Sequence, residues 1–187
     1  MKLFVSLACL LVFFSAQAQK APELDGSPMD MSYWPANYPK LKLDGKAKAM
    51  PVARLIYSRP MKNNRPVIFG KVVPYGVVYR LGANESAEIE FFSNVKIGGK
   101  LITKGRYTMQ YIVEENMWTI IINRDNYTWG HFSYKKEKDV VRKNIDIEKT
   151  NDITEAFTMY FEETRIGANL VMLFDDVKAV LPITLVK

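Results

Sequence analysis

Apolar and polar residues alternate along most of this chain, and from Pro51 onward the period is two rather than the roughly 3.6 of a helix. Val52-Ala53-Arg54-Leu55-Ile56-Tyr57-Ser58 reads as a strand closed by Arg59-Pro60. In Glu88-Ile89-Glu90-Phe91 the apolar residues point one way and the glutamates the other. Arg106 to Val113 puts Tyr107, Met109, Tyr111 and Val113 on one face; after Glu114-Glu115-Asn116, Trp118, Ile120 and Ile122 again share a face. That pair predicts a hairpin. Further strands are expected over 140–148, 155–163, 168–174 and 177–185, with turn chemistry at Gly98-Gly99, Gly167 and Asp175-Asp176. Short antiparallel strands in series predict an all-β fold, a two-sheet sandwich or a jelly-roll-like barrel.

Residues 19–50 break this pattern. They hold Pro22, Pro28, Pro35 and Pro39 and sustain neither period, so an extended N-terminal arm running over the surface is expected. Tyr33, Trp34 and Tyr38 are too apolar for a bare linker and predict that the arm packs on the domain. The first eighteen residues differ again, with Lys2, an apolar run from Leu3 to Phe14 and the small-residue pattern Ala16-Gln17-Ala18. That is the pattern of a secretory signal peptide cut before Gln19. The expected organisation is therefore a signal over 1–18, an arm over 19–50 and a single β-sandwich domain over 51–187.

Composition changes the picture in three ways. Apolar residues make up 48% of the 187, enough for a sizeable core and unlike a disordered chain. Cys9, inside the signal, is the only cysteine, so the exported domain is held without disulfides. The apolar run continues past Cys9, which argues against a lipid anchor there. Lys plus Arg is 26 against 20 for Asp plus Glu, and removing Lys2 leaves 25 − 20 = +5, scattered along the chain. Nucleic-acid grooves need clustered cations, so that partner is not expected.

Arg80-Leu81-Gly82-Ala83-Asn84-Glu85 is the first candidate site. Gly82 accepts positive φ and Asn84 tolerates it, so on residue types the segment reads first as a corner where the chain changes sheets, with Arg80 paired to Glu85 or Glu88. Read functionally, Arg80, Asn84 and Glu85 converge as a polar site, Arg80 offering a planar fork to a carboxylate or hydroxyl pair. A second Gly-Ala-Asn at 167–169 points to a repeated turn device. The second candidate is Asn123 to Gly130, where Tyr127 and Trp129 offer flat faces to a sugar ring or peptide and Arg124 and Asp125 its polar edges. The alternative is a long loop whose Trp129 caps the core.

His131 is the only histidine, so neither a zinc site nor a serine triad is expected, and it reads as a partly exposed loop residue. No cofactor or metal is expected. Glu85, Glu88, Glu90, Asp125, Glu162 and Glu163 could supply a carboxylate pair for hydrolysis. The sequons at Asn84 and Asn126 presuppose a eukaryotic secretory route.

The order Ser58-Arg59-Pro60, Ile68-Phe69-Gly70, Val73-Pro74-Tyr75-Gly76, Tyr79 to Glu85, Ile97-Gly98-Gly99-Lys100, Gly105-Arg106-Tyr107, Trp118 to Ile121 and Trp129-Gly130 resembles an exported bacterial family, domain of unknown function twenty-nine eleven. Ser27-Pro28 and Gly167 to Leu170 extend the similarity over nearly all of the chain beyond the signal. Tyr79 stands where that family often has tryptophan. The resemblance implies an all-β envelope or secreted domain and lends no activity. The reading is an exported, non-enzymatic binding module for a glycan, peptide or envelope partner, with Arg80, Asn84, Glu85, Arg124, Tyr127 and Trp129 as ligand-binding residues. The alternative is a carboxylate-dependent hydrolase of cell-wall or polysaccharide material.

Overall fold

The structure is a computed structural model that describes residues 20–47 and 49–186; the segment expected to be a signal, with Cys9, lies outside the described residues. The chain is all-β, as the alternation predicts. Its strands form one antiparallel path in the order β1 (Met29–Trp34), β2 (Ala53–Ser58), β4 (Ala87–Phe91), β7 (Gly105–Val113), β8 (Met117–Asn123), β9 (Asp139–Thr164), β10 (Gly167–Leu185), β5 (Val95–Ile97) and β6 (Lys100–Ile102). The short β3 (Val78–Arg80) pairs with β7 off this path.

The path doubles over to enclose its apolar face. Leu55, Ile89, Met109 and Ile120 on one side are fully buried, as are Leu170 and Met172 on β10. Contacts across the two layers close the core: the Tyr57 hydroxyl donates to the Met159 carbonyl at 3.0 Å, Trp34 meets Phe161, and Phe69 meets both Trp118 and Phe174. The 105–113 and 117–123 hairpin forms as predicted, with Glu114 N–H donating to Met117 O at 2.9 Å across the turn.

Three expectations need correction. The arm packs on the domain, but it is not devoid of regular structure: β1 pairs with β2 over six residues, and α1 (Tyr38–Leu43) follows it. Residues 140–148 and 155–163 belong to one 26-residue strand, β9, which pairs with β8 as far as Asp146 and with β10 from Ile147 onward. At about 3.3 Å per residue a straight strand of that length would outrun the domain, so it serves both layers by bending. Likewise 168–174 and 177–185 are one strand, β10, and Asp175-Asp176 is a bulge rather than a turn, with Asp175 at φ 57°.

The two Gly-Ala-Asn segments are not one device. Gly82 has φ 96° at a corner, where an added Cβ would lie 2.5 Å from the Ser58 carbonyl oxygen. Gly167 instead opens β10, and a Cβ there would lie 1.9 Å from the Ile183 carbonyl oxygen. The shared requirement is close backbone approach, not a turn.

Candidate functional site

The corner after β3 separates two cavities. Arg80 pairs with Gln110 of β7, Leu81 is buried, Gly82 turns over Ser58, and Asn84 sits at φ 56°. Glu85 then forms a backbone bridge with Trp129, and Ser86 fastens the loop after β8: its N–H donates to Thr128 O at 3.0 Å and its hydroxyl bonds Gly130 O and Thr128 Oγ1. Arg80 and Asn84 face a cavity of about 350 Å³ on one side, whereas Glu85, Tyr127 and Trp129 line a separate one of about 370 Å³. Arg124 is exposed and lines neither. The six candidates therefore do not converge on one rim site.

Arg80 does not form the expected pair with Glu85 or Glu88. Glu88 is taken instead by the Tyr127 N–H at 3.2 Å and by Arg106 at 3.7 Å. Arg80 stacks on Tyr79, 5.1 Å from the ring centroid, and its Nε is buried with no hydrogen-bond partner among the described residues. Arg65 lines the same cavity and spends its donors on carbonyls, Nε on Lys62 O at 2.8 Å and a terminal nitrogen on Met61 O. No aspartate or glutamate lines this cavity; Asp175, next in sequence to its Phe174, is held by Lys62 at 2.5 Å. Two guanidinium groups and no carboxylate line the cavity, while Glu155 accepts from the N–H of its Asn63 at 2.8 Å.

Aromatic residues complete it. Tyr111 lines the floor, and burial, followed by the nearby Tyr79, holds its phenol well above the usual range, so it stays neutral. His131 does not line the cavity itself: half-buried as a loop residue, it packs 4.4 Å from the lining Tyr79 and stacks on Phe132 at 4.7 Å. Burial, and secondarily the Arg80 charge, lowers its pKa. Arg65, Asn63 and Tyr111 carried no sequence signal as site residues: Tyr111 reads as core by alternation, and the loop that brings Asn63 and Arg65 turns on two successive asparagines at φ 50° and 56°.

The other cavity differs in charge. Trp129 is 58% exposed and Tyr127 82%, so Trp129 does not cap the core. Glu85 and Glu88 line it with Met29 and Ile56, and no cation does. Among the described residues no group of three or more His, Cys, Asp or Glu side chains gathers as metal ligands would.

The family model described as protein of unknown function (DUF2911) matches residues 40–183. The chain belongs to that family. No curated protein matches the chain. No solved structure does either. The DUF2911 match takes in Arg80, Asn84, Tyr111, Trp129 and His131, but β1, with Met29, lies ahead of it.

Proposed function

We propose that this DUF2911 protein is an exported, non-enzymatic binding module, and that the cavity around Arg80 takes a ligand bearing a carboxylate, sulfate or phosphate group. The observation that carries the reading is Arg80 itself: a guanidinium in a cavity without acids, its Nε buried and partnerless among the described residues. A buried donor of that kind is costly unless something accepts from it. An oxyanion fits the fork, and the neutral phenol of Tyr111 and the amides of Asn63 and Asn84 supply further donors. The leader-like first eighteen residues support export, so anionic glycans and cell-wall peptides are the natural ligand pool.

Isothermal titration of the mature chain with acetate, sulfate, phosphate, uronic-acid oligosaccharides and peptidoglycan fragments tests this. Arg80→Ala should weaken the binding anion by about tenfold or more with little change in melting temperature, and Arg80→Lys should restore only part, because a point charge lacks the fork. Equal affinity of Arg80→Ala and wild type, or no anion bound by either, would sink the reading.

Hydrolysis by a carboxylate pair has one observation in its favour, the presence of Glu85 and Glu88 in one cavity. Against it, Glu88 is engaged through both oxygens, Glu90 by Arg54 at 2.6 Å and Asp125 by Lys138 at 2.6 Å, while Glu162 and Glu163 are exposed on β9. Polysaccharide turnover lost in Glu85→Gln would revive that reading.

A further inference from the structure

The Trp129 cavity is the chemical opposite of the one around Arg80, and the two share no lining residue. Three carboxylates, Glu85, Glu88 and Glu90, stand on this face against two guanidinium groups, Arg54 and Arg106. Arg54 bonds Glu90, and Arg106 is shared between Glu88 and Glu90. One negative charge is left over, 3 − 2 = 1, and Glu85, exposed and without an ion partner among the described residues, carries it. The outer rings already receive one cation: Arg106 lies 5.7 Å from the Tyr127 centroid and donates to its hydroxyl at 3.2 Å. Trp129, the stronger cation acceptor of the two, has neither a ring nor a cation against it among the described residues. The bridge to Glu85 and the Ser86 bonds to Thr128 and Gly130 on either side hold the Trp129 backbone beside Glu85, and both residues line the cavity.

We propose that this cavity binds an alkylammonium group, seated on the Trp129 face with Glu85 as its counter-ion. The group can come from a lysine-bearing peptide, an amino sugar or a polyamine; all present an ammonium on a carbon framework whose C–H surface Met29 and Ile56 can meet.

Tryptophan fluorescence reads this site selectively, because Trp34 and Trp118 are only 3% and 0% exposed. The mature chain is titrated with tetramethylammonium, N-acetyl-lysine methylamide, glucosamine and spermidine, with tert-butanol and glucose as neutral counterparts, and the affinities are repeated by isothermal titration. A saturable response to the cations but not to the neutral compounds is expected, weakening with salt. Trp129→Ala, read by calorimetry, should lose about tenfold in affinity and Glu85→Gln about threefold, both with wild-type melting temperatures since both side chains are exposed. The tightest cation identifies the source. Binding of tert-butanol equal to that of tetramethylammonium would make the site merely apolar, and binding of glucose equal to that of glucosamine would make it a sugar platform. Either result, unchanged affinity in Glu85→Gln, or no saturable response overturns the proposal.

Discussion

Single residues at the corner after β3 carry both architecture and chemistry, and substitution separates the two. Gly82 admits no Cβ: at φ 96°, and with the Ser58 carbonyl 2.5 Å from where that atom would sit, Gly82→Ala should destabilise the fold by about 2 kcal/mol or more in urea unfolding. His131 gives a pH signature. Its folded pKa lies below the ordinary 6.5, through burial first and Arg80 second, so the unfolded chain binds the proton more readily. The stability it contributes is complete above about pH 6.5 and is lost as pH falls from there through the folded pKa. Because it is the only histidine, His131→Gln should flatten that segment of the stability curve and leave the lower, carboxylate part in place. Gly82 and Asn84 were legible as turn residues because positive φ is a property of residue type. The absence of an acid beside Arg80 was not, since the sequence offered Glu85 and Glu88 close by and only the fold assigns Glu88 to Arg106.

At the scale of elements, alternation was legible wherever one face of a strand meets the core, as in β4, β7 and β8 with their strictly buried inner positions. It failed where burial does not follow residue type. In β1, Met29 and Met31 are 59% and 47% exposed, and Asp30 between them, itself only half-buried, pairs with Arg59 at 3.0 Å, so burial there does not follow apolarity. The middle of β9, Glu148 to Ile153, is largely exposed and polar, so it reads as a loop although it continues the strand. The β10 bulge was read as a turn because Asp175-Asp176 has turn composition; its role is to aim Asp175 at Lys62, the most buried ion pair among those described, with side chains 15% and 10% exposed. That pair ties the 61–65 loop, and hence Asn63 and Arg65 of the cavity around Arg80, to β10. Lys62→Met should cost about 3 kcal/mol by stranding the aspartate, and Asp175→Asn added to it should return part of the loss, because Asn keeps the backbone conformation without the charge. A double-mutant cycle by thermal unfolding, together with the anion affinity of each variant, checks both consequences.

Across the whole molecule the family match and the fold have different limits. The match runs from residue 40 to 183, while β1 occupies Met29–Trp34 and the pairing of β10 with β5 runs on to Leu185. β1 covers the edge of β2, which would otherwise present unpaired backbone groups, and Trp34, 3% exposed against Phe161, closes one end of the core. Arg59, bonded to Asp30, Phe157 O and Thr158, fastens that strand to the opposite layer. A chain cut to residues 40–183 is therefore expected to melt well below one spanning 19–187: the loss of Trp34 alone corresponds to about 3 kcal/mol of core packing, before the strand hydrogen bonds are counted. Its bared β2 edge should drive self-association visible by size-exclusion chromatography. Its ammonium response should weaken, because Met29 leaves the Trp129 cavity while Trp129 and Glu85 stay, whereas the chemistry around Arg80 lies inside the cut except for Gly26 and Ser27. Equal melting temperatures for the two chains would show that the arm decorates the sandwich instead of completing it.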